Sequence, residues 1–235
     1  SSYPSVMLSE KFPMSRFKPV KVKTIKELEK ILARHAVIFD VQFINIKPRI
    51  TQETYLSESK CRNVINPVIN NGRIFSADSI TTTLTEIDYS IMKQCYTWEN
   101  IAVSNVKYAI KNYLPKPIIF SVLDLYQKKT ELKDVTGYEV EYLLSKGMLN
   151  SIYGMTVTDI VKPLITYEKD WGVETLDLAD EITKYNDSKN RFLYYPWGVW
   201  VTAYARRNLW TGILATGDDY IYSDTDSLKI LNHEK

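Results

Sequence analysis

The segment Tyr220-Ile221-Tyr222-Ser223-Asp224-Thr225-Asp226-Ser227-Leu228-Lys229-Ile230-Leu231 decides how the chain is read. Two short apolar runs flank an acidic turn, which is the pattern of a β-hairpin. Asp224 and Asp226 stand two residues apart, so they project together from one end of a sheet. Carboxylates held that close raise each other's pKa unless a cation neutralises them. A hard divalent ion such as Mg2+ suits the pair, because it takes oxygen ligands and few protein side chains. A solvent-exposed acidic hairpin tip fits the same residues, and the D-x-D spacing alone leaves both readings open.

Upstream, Pro196 to about Leu214 is apolar nearly all round and predicts a long buried helix. Gly217 reads as its stop, and Gly217-Asp218-Asp219 as a polar turn capping it. Further back stands Lys146-Gly147-Met148-Leu149-Asn150-Ser151-Ile152-Tyr153-Gly154. Lys146, Asn150, Tyr153 and Gly154 share one helix face. A lysine, an amide, a ring and a gap without a side chain suit a nucleotide: charge for phosphate, ring for sugar and base, room for a backbone. The alternative is a surface lysine above an aromatic core stripe.

The whole chain of 235 residues, 45% apolar and 25% charged, has an ordinary globular composition. Thirty basic residues against 28 acidic ones give +2, which excludes a dedicated polycation but permits a local basic groove. Eight glycines and no Gly-rich motif argue against a P-loop or dinucleotide cradle. Two cysteines, Cys61 and Cys95, and two histidines, His35 and His233, build neither a zinc quartet nor a disulfide framework. No apolar run approaches the roughly 18 residues of a membrane span. The basic stretch Lys11–Lys30 also carries Glu10, Glu27 and Glu29 close by and reads as a solvated face.

Between these landmarks, residues 1–13 have strand-to-helix character, and Thr24 with Glu27 opens a short helix, Ile25 to about Arg34. Val37–Lys47 alternates as a half-buried strand does. Residues 48–84 read as irregular, with a turn at Asn71-Gly72. Helices are expected over Glu86–Tyr96, from Pro115/Pro117 to about Lys129, over Glu139–Tyr153 and over Glu174–Lys189. Ile101–Ile110 and residues 155–172 have β character.

In this order the motifs resemble family B DNA polymerases. K-x-x-x-N-S-x-Y-G, here Lys146 to Gly154, is that family's fingers motif, and Y-x-D-T-D-S, here Tyr222 to Ser227, its second catalytic palm motif. Ser1-Ser2-Tyr3-Pro4 resembles the end of the first palm motif, D-x-x-S-L-Y-P; Ser2 departs at the leucine, and the motif's aspartate would precede Ser1. Long stretches between the motifs, and Thr202-Ala203-Tyr204-Ala205-Arg206 as T-x-x-A-R, resemble the protein-primed phage branch.

The resemblance implies an α+β fold: a polymerase palm of antiparallel sheet and helices, helical-hairpin fingers and two insertions. It implies palm over 1–51 and 196–235, a first insertion contacting terminal protein and duplex over 52–112, fingers over 113–154, and a second insertion for processivity over 155–195. The expected reaction is template-directed deoxynucleotide addition with two Mg2+ ions. Asp226 and Asp224 become the catalytic, metal-holding carboxylates. Tyr3, Lys146, Tyr153 and Lys128 become nucleotide contacts, and Asn150, Ser151, Gly154, Thr202 and Arg206 DNA contacts. Primer–template DNA, deoxynucleoside triphosphates and terminal protein are the implied partners, in the host cytoplasm and with no membrane. The chain reads as palm and fingers, with the family's exonuclease and thumb outside it and the isolated piece inactive. A non-catalytic DNA-binding remnant, a split-polymerase subunit and a metal-dependent nuclease are the competing readings.

Overall fold

The computed structural model describes residues 2–189 and 194–232. Ser1 of the first-motif resemblance, and His233, lie outside them. Two compact units divide the chain: Ser1–Asp124 with Trp200–Lys235, and Leu125–Val199.

The first unit opens with helix α1 (Ser2–Ser9), followed by the two-residue strands β1 (Phe12–Pro13) and β2 (Lys18–Pro19). The expected strand-to-helix order of residues 1–13 is therefore reversed. Pro4 is tolerated because the first-turn N–H groups of a helix have no partner within it. Helix α2 (Ile25–Arg34) starts where expected: Thr24 Oγ1 accepts from the Glu27 N–H at 3.2 Å, and Glu27 Oε2 accepts from the Lys23 N–H at 2.9 Å.

Strand β3 (Ala36–Pro48) buries Val37, Phe39, Val41 and Phe43 on one face, as its alternation requires. The region expected to be irregular is instead built of strands β4 (Cys61–Ile65), β5 (Val68–Asn70) and β6 (Arg73–Thr85). Its Thr and Ser residues look like loop composition, but threonine is β-branched and fits a pleated sheet once apolar neighbours lie alongside. Here Ile74, Ala77, Ile80, Thr82 and Leu84 point inward. The turn at Asn71-Gly72 is present, with φ of 48° and 69°, the left-handed pair a tight hairpin needs.

Helix α3 (Glu86–Cys95), strand β7 (Tyr96–Thr97), strand β8 (Asn100–Ala109) and strand β9 (Lys111–Asn112) follow. The antiparallel sheet runs β2-β8-β3-β6-β4, with β3 central, registered Ile38↔Thr85 to Ile46↔Ala77 against β6 and Ala36↔Ala109 to Ile44↔Asn100 against β8. Segment 52–112 thus shares one sheet with the strand at 36–48.

Helix α4 (Lys116–Glu131) leads into the second unit, where α5 (Glu139–Thr156), the hairpin β10 (Leu164–Tyr167)–β11 (Trp171–Glu174) and α6 (Leu178–Asp187) follow. Helix α6 starts later than expected because Asp177 caps it, accepting from the Asp180 N–H at 3.0 Å. Helix α7 (Tyr195–Thr216) begins in this unit and continues into the first, where Trp210 and Ile213 join the sheet's core with Phe39, Phe43 and Met92. It is not buried all round: Asn208, Thr211 and Ala215 are exposed. It stops before Gly217, whose φ of 51° opens a 3-10 turn at Gly217–Asp219. The chain then forms the hairpin of β12 (Tyr220–Asp224) and β13 (Ser227–Ile230). No helix among the described residues is long and apolar enough to cross a membrane.

Candidate active site

The acidic hairpin closes on Asp224↔Ser227, with Thr225 at φ 50° in the tip. Thr225 Oγ1 donates to Asp224 Oδ1 at 2.9 Å, and Ser227 Oγ to the Asp224 carbonyl at 3.0 Å. Both aspartates are exposed. Asp226 Oδ2 accepts from the Ser2 N–H at 2.9 Å, at the N-terminus of α1, where the helix dipole favours an anion. The first and last segments of the first unit therefore meet at this carboxylate. A cleft of about 340 Å³, lined by Ser2, Ser5, Ala205, Asn208, Leu209, Asp226 and Leu228, opens beside it. Tyr3, half-buried, follows Ser2 in α1.

Two devices seat the hairpin. A Cβ on Gly212 of α7 would lie 2.4 Å from Leu228 Cδ1, so that glycine leaves the room the leucine takes. At the base, Asp219 holds Leu231 through its carbonyl at 2.8 Å and Asn232 through Oδ1 at 2.8 Å, while Asp218 Oδ1 accepts from Gln52 Nε2 at 3.2 Å. The Gly-Asp-Asp triplet is thus a structural turn, as its position predicts.

Two carboxylates at a tip suit a hard divalent ion, which takes oxygen ligands and few protein side chains. Among the described residues no group of three or more metal-ligating side chains occurs. Asp224 and Asp226 are the pair that could hold such an ion.

Thr202 and Arg206 lie on α7 as the spacing predicts, but Arg206 points into the fold. Its Nη2 lies 2.8 Å and its Nε 3.2 Å from Asp88 Oδ1, and Nε also reaches Tyr55 Oη at 3.3 Å. Next to it Arg207 pairs with Glu10 at 2.7 Å and stacks on Tyr204 at 4.9 Å. Glu86, buried at the start of α3, accepts from the Val37 N–H at 2.9 Å and Trp200 Nε1 at 3.0 Å, with Lys111 Nζ at 3.4 Å. Burial pushes its carboxyl above the usual range, opposed by these donors.

In the second unit, α5 buries Ser145, Leu149 and Thr156 and leaves Lys146, Asn150 and Ser151 exposed. Lys146 Nζ lies 5.9 Å from the Tyr142 ring centroid. Ser151 Oγ donates back to the Gly147 carbonyl at 2.8 Å, and a Cβ on Gly154 would meet nothing within 4 Å. Tyr153 is half-buried, and Lys128 is exposed on α4.

Sequence reasoning missed the Ser2 N–H, Asn208, Glu86, Asp88 and Tyr55. Asn208 leaves a faint trace as a polar residue in an apolar helix. Asp88 shows only as the fourth residue of a Thr85-x-x-Asp88 capping box.

The acidic hairpin is thus seated on a long helix, beside the N-terminus of a short one. The chain belongs to the DNA polymerase type B family, organellar and viral, whose family model matches residues 1–233. It is similar to the DNA polymerase of Bacillus phage phi29, 32% identical over 153 residues, covering 64% of this chain and 24% of that protein. The DNA polymerase of Bacillus phage B103 is 27% identical over 162 residues, 67% of this chain and 26% of that one. The chain thus spans about a quarter of the length of these curated relatives. In fold it is similar to phi29 DNA polymerase in its ternary complex with primer-template DNA and incoming nucleotide substrates, with a TM-score of 0.68 and 20% identity, covering 97% of this chain and 37% of that one. With the post-translocation binary complex of phi29 polymerase the TM-score is 0.67, again at 20% identity, over 97% of this chain and 36% of that one.

Proposed function

We propose that this chain forms the palm and fingers of a protein-primed, DNA-directed DNA polymerase. The observation that carries the reading is the meeting of Asp226 with the N-terminus of α1 in a cleft beside α7. Family membership supports it. On this reading the palm comprises 1–51 and 196–235, the first insertion 52–112, the fingers 113–154 and the second insertion 155–195.

The chain's own residues do the positioning. Asp226, held by the Ser2 N–H, and Asp224, steadied by Thr225, keep two carboxylates at the hairpin tip. They would hold Mg2+, which when bound supplies positive charge to phosphate oxygens during transfer to a primer 3′ hydroxyl. Tyr3 stacks under the incoming sugar, and Lys146, Lys128 and Tyr153 bind the nucleoside triphosphate. Asn150, Ser151 and Gly154 face the templating pair, and Thr202 the primer; Arg206, drawn inward by Asp88, meets the primer only with the part of its side chain left exposed. Terminal protein is the priming partner.

Primer extension with Asp226→Asn, in the polymerase as its gene encodes it, tests this. Loss of a carboxylate facing transferred phosphate costs several kcal/mol, so extension falls more than ~100-fold while primer–template affinity stays within about twofold. A variant retaining a tenth of wild-type activity would exclude the metal-holding role.

A further inference from the structure

Helix α1 has little of its own to hold it in place. It spans eight residues and carries no acidic side chain in its first turn and no basic one in its last. Helices that short are marginal in water unless something outside fixes them. Val6 and Met7 bury its middle, but apolar packing is non-directional and does not set a position along the axis. That position matters, because the Ser2 N–H at its start meets Asp226 Oδ2 at 2.9 Å, and Tyr3 follows.

The directional contacts lie at the other end, about 12 Å away by helical rise. The Glu10 N–H closes the last turn on the Val6 carbonyl at 3.0 Å, so Glu10 moves with the helix. Arg207 of α7 meets its carboxylate as a fork: Nη2 lies 2.7 Å from Oε1 and Nη1 3.4 Å from Oε2. Nη2 also donates to Asn208 Oδ1 at 3.0 Å, and the guanidinium lies 4.9 Å from the Tyr204 ring centroid. Tyr204, buried, donates its hydroxyl to the Lys11 carbonyl at 2.7 Å and meets the Phe12 ring edge-on at 5.8 Å. The consecutive residues Glu10, Lys11 and Phe12 are thus gripped by two residues of α7 that stand three apart and share a face. Close by on the same helix, Ala205, Asn208 and Leu209 line the cleft beside Asp226, and Gly212 leaves room for Leu228.

Resting on the polymerase reading, we propose that Arg207 and Glu10 are positioning residues. Their forked pair sets where α1 sits along α7, and through it the Ser2 N–H at Asp226 and the Tyr3 ring beside the incoming sugar. A fork fixes direction as well as distance. The pair does not act by stabilising the fold: Arg207 is 37% and Glu10 24% exposed, and such pairs add little stability. Sliding α1 by about 1 Å, by contrast, stretches the Ser2–Asp226 bond beyond hydrogen-bond range. Misplacement of about 1 Å at a reacting centre costs up to ~100-fold in rate.

The opposite charges of the two residues make the test sharp. If Arg207 served a DNA phosphate instead, Arg207→Gln would lower the log–log salt slope of primer–template binding by about one. Glu10→Gln, which frees the arginine, would then tighten binding. As positioning residues the two must act alike. On the polymerase as its gene encodes it, single-turnover extension of saturating primer–template should fall roughly 5- to 30-fold for each variant. Discrimination against ribonucleotides should fall in both, since Tyr3 moves with α1. The double variant should be no slower than either single one, because one device is broken once. Arg207→Lys, which keeps the charge and loses the fork, should extend faster than Arg207→Gln but slower than wild type. Primer–template affinity should stay within about twofold in all of them, with the salt slope unchanged.

The inference is overturned if Glu10→Gln extends at the wild-type rate, if the two losses multiply in full, if ribonucleotide discrimination holds, or if Arg207→Gln lowers the salt slope. Should Arg207→Gln fail to fold, Glu10→Gln and Arg207→Lys decide on the same criteria. Active wild type, inactive Asp226→Asn and unaltered pair variants would sink this inference alone. A wild-type enzyme that extends no primer would sink the polymerase reading and this inference with it.

Discussion

Gly212 and Leu228 share one volume: a Cβ on the glycine would lie 2.4 Å from Leu228 Cδ1, which packs over the helix there. The seat of the acidic hairpin on α7 is therefore set by a missing methyl group. Gly212→Ala gains about 0.5–1 kcal/mol of helix stability but forces the leucine side chain to swing aside. Melting temperature should change little, while primer extension falls several-fold as the hairpin shifts. Combining it with Leu228→Ala should restore part of the loss, and extension assays on the single and double variants check this.

Gly198 poses a harsher version of the same problem in the second unit. A Cβ there would lie 2.0 Å from Val157 Cγ1 and 2.8 Å from Thr156 Oγ1, at a buried position. Overpacking of this kind costs about 1–3 kcal/mol. Gly198→Ala should lower the urea midpoint of unfolding, and Val157→Ala in the same chain should recover most of it.

Glu86 and Asp88, two residues apart on the first turn of α3, should have opposite pH signatures. The Glu86 carboxyl is raised above its ordinary 4.5 by burial, so the folded state holds that proton more tightly. Wild-type stability relative to Glu86→Gln should then decline as pH rises from about 4.5 through the raised value. The Asp88 carboxyl is lowered from 3.8, with burial outweighed by Arg206 and its hydrogen-bond donors. Wild-type stability relative to Asp88→Asn should be present above about 3.8 and be lost as pH falls through the lowered value. Urea melts from pH 3 to 8 read both trends, and parallel curves for the two pairs would contradict the assignment.

Glu86→Ala strips acceptors from the Val37 N–H and Trp200 Nε1 and leaves Lys111 without its partner. Buried donors left unsatisfied cost ~1–3 kcal/mol each. A drop of roughly 2–4 kcal/mol in unfolding free energy is expected by chemical denaturation.

The acidic hairpin and helices α2 to α5 and α7 were legible because each rests on local chemistry, such as apolar runs about a turn, a Thr24–Glu27 cap or a glycine after α7, whereas α1 carries no such signal. Strand β6 was not. Its Thr81-Thr82-Thr83 run acquires an apolar face only beside β3, whose partner residues lie about 40 positions earlier, as in Val41↔Thr82. Arg206 was legible as a motif position but not as an ion-pair partner, since Asp88 stands 118 residues away. Nor could spacing reveal that Asp226 would meet a backbone N–H. A helix N-terminus offers its donors to whatever the fold brings there, and no side chain in the sequence marks the choice.

The bond from Ser2 to Asp226 joins residues 224 apart. A ribosome adding ~5–20 residues per second needs on the order of ten seconds or more between them. Throughout that interval α1 can fold, but its N-terminus has no carboxylate to receive. The acidic pair emerges after nearly everything it docks against. The contact can thus close only after α7 and the sheet it packs on have been made, so the seat is built before the group that occupies it.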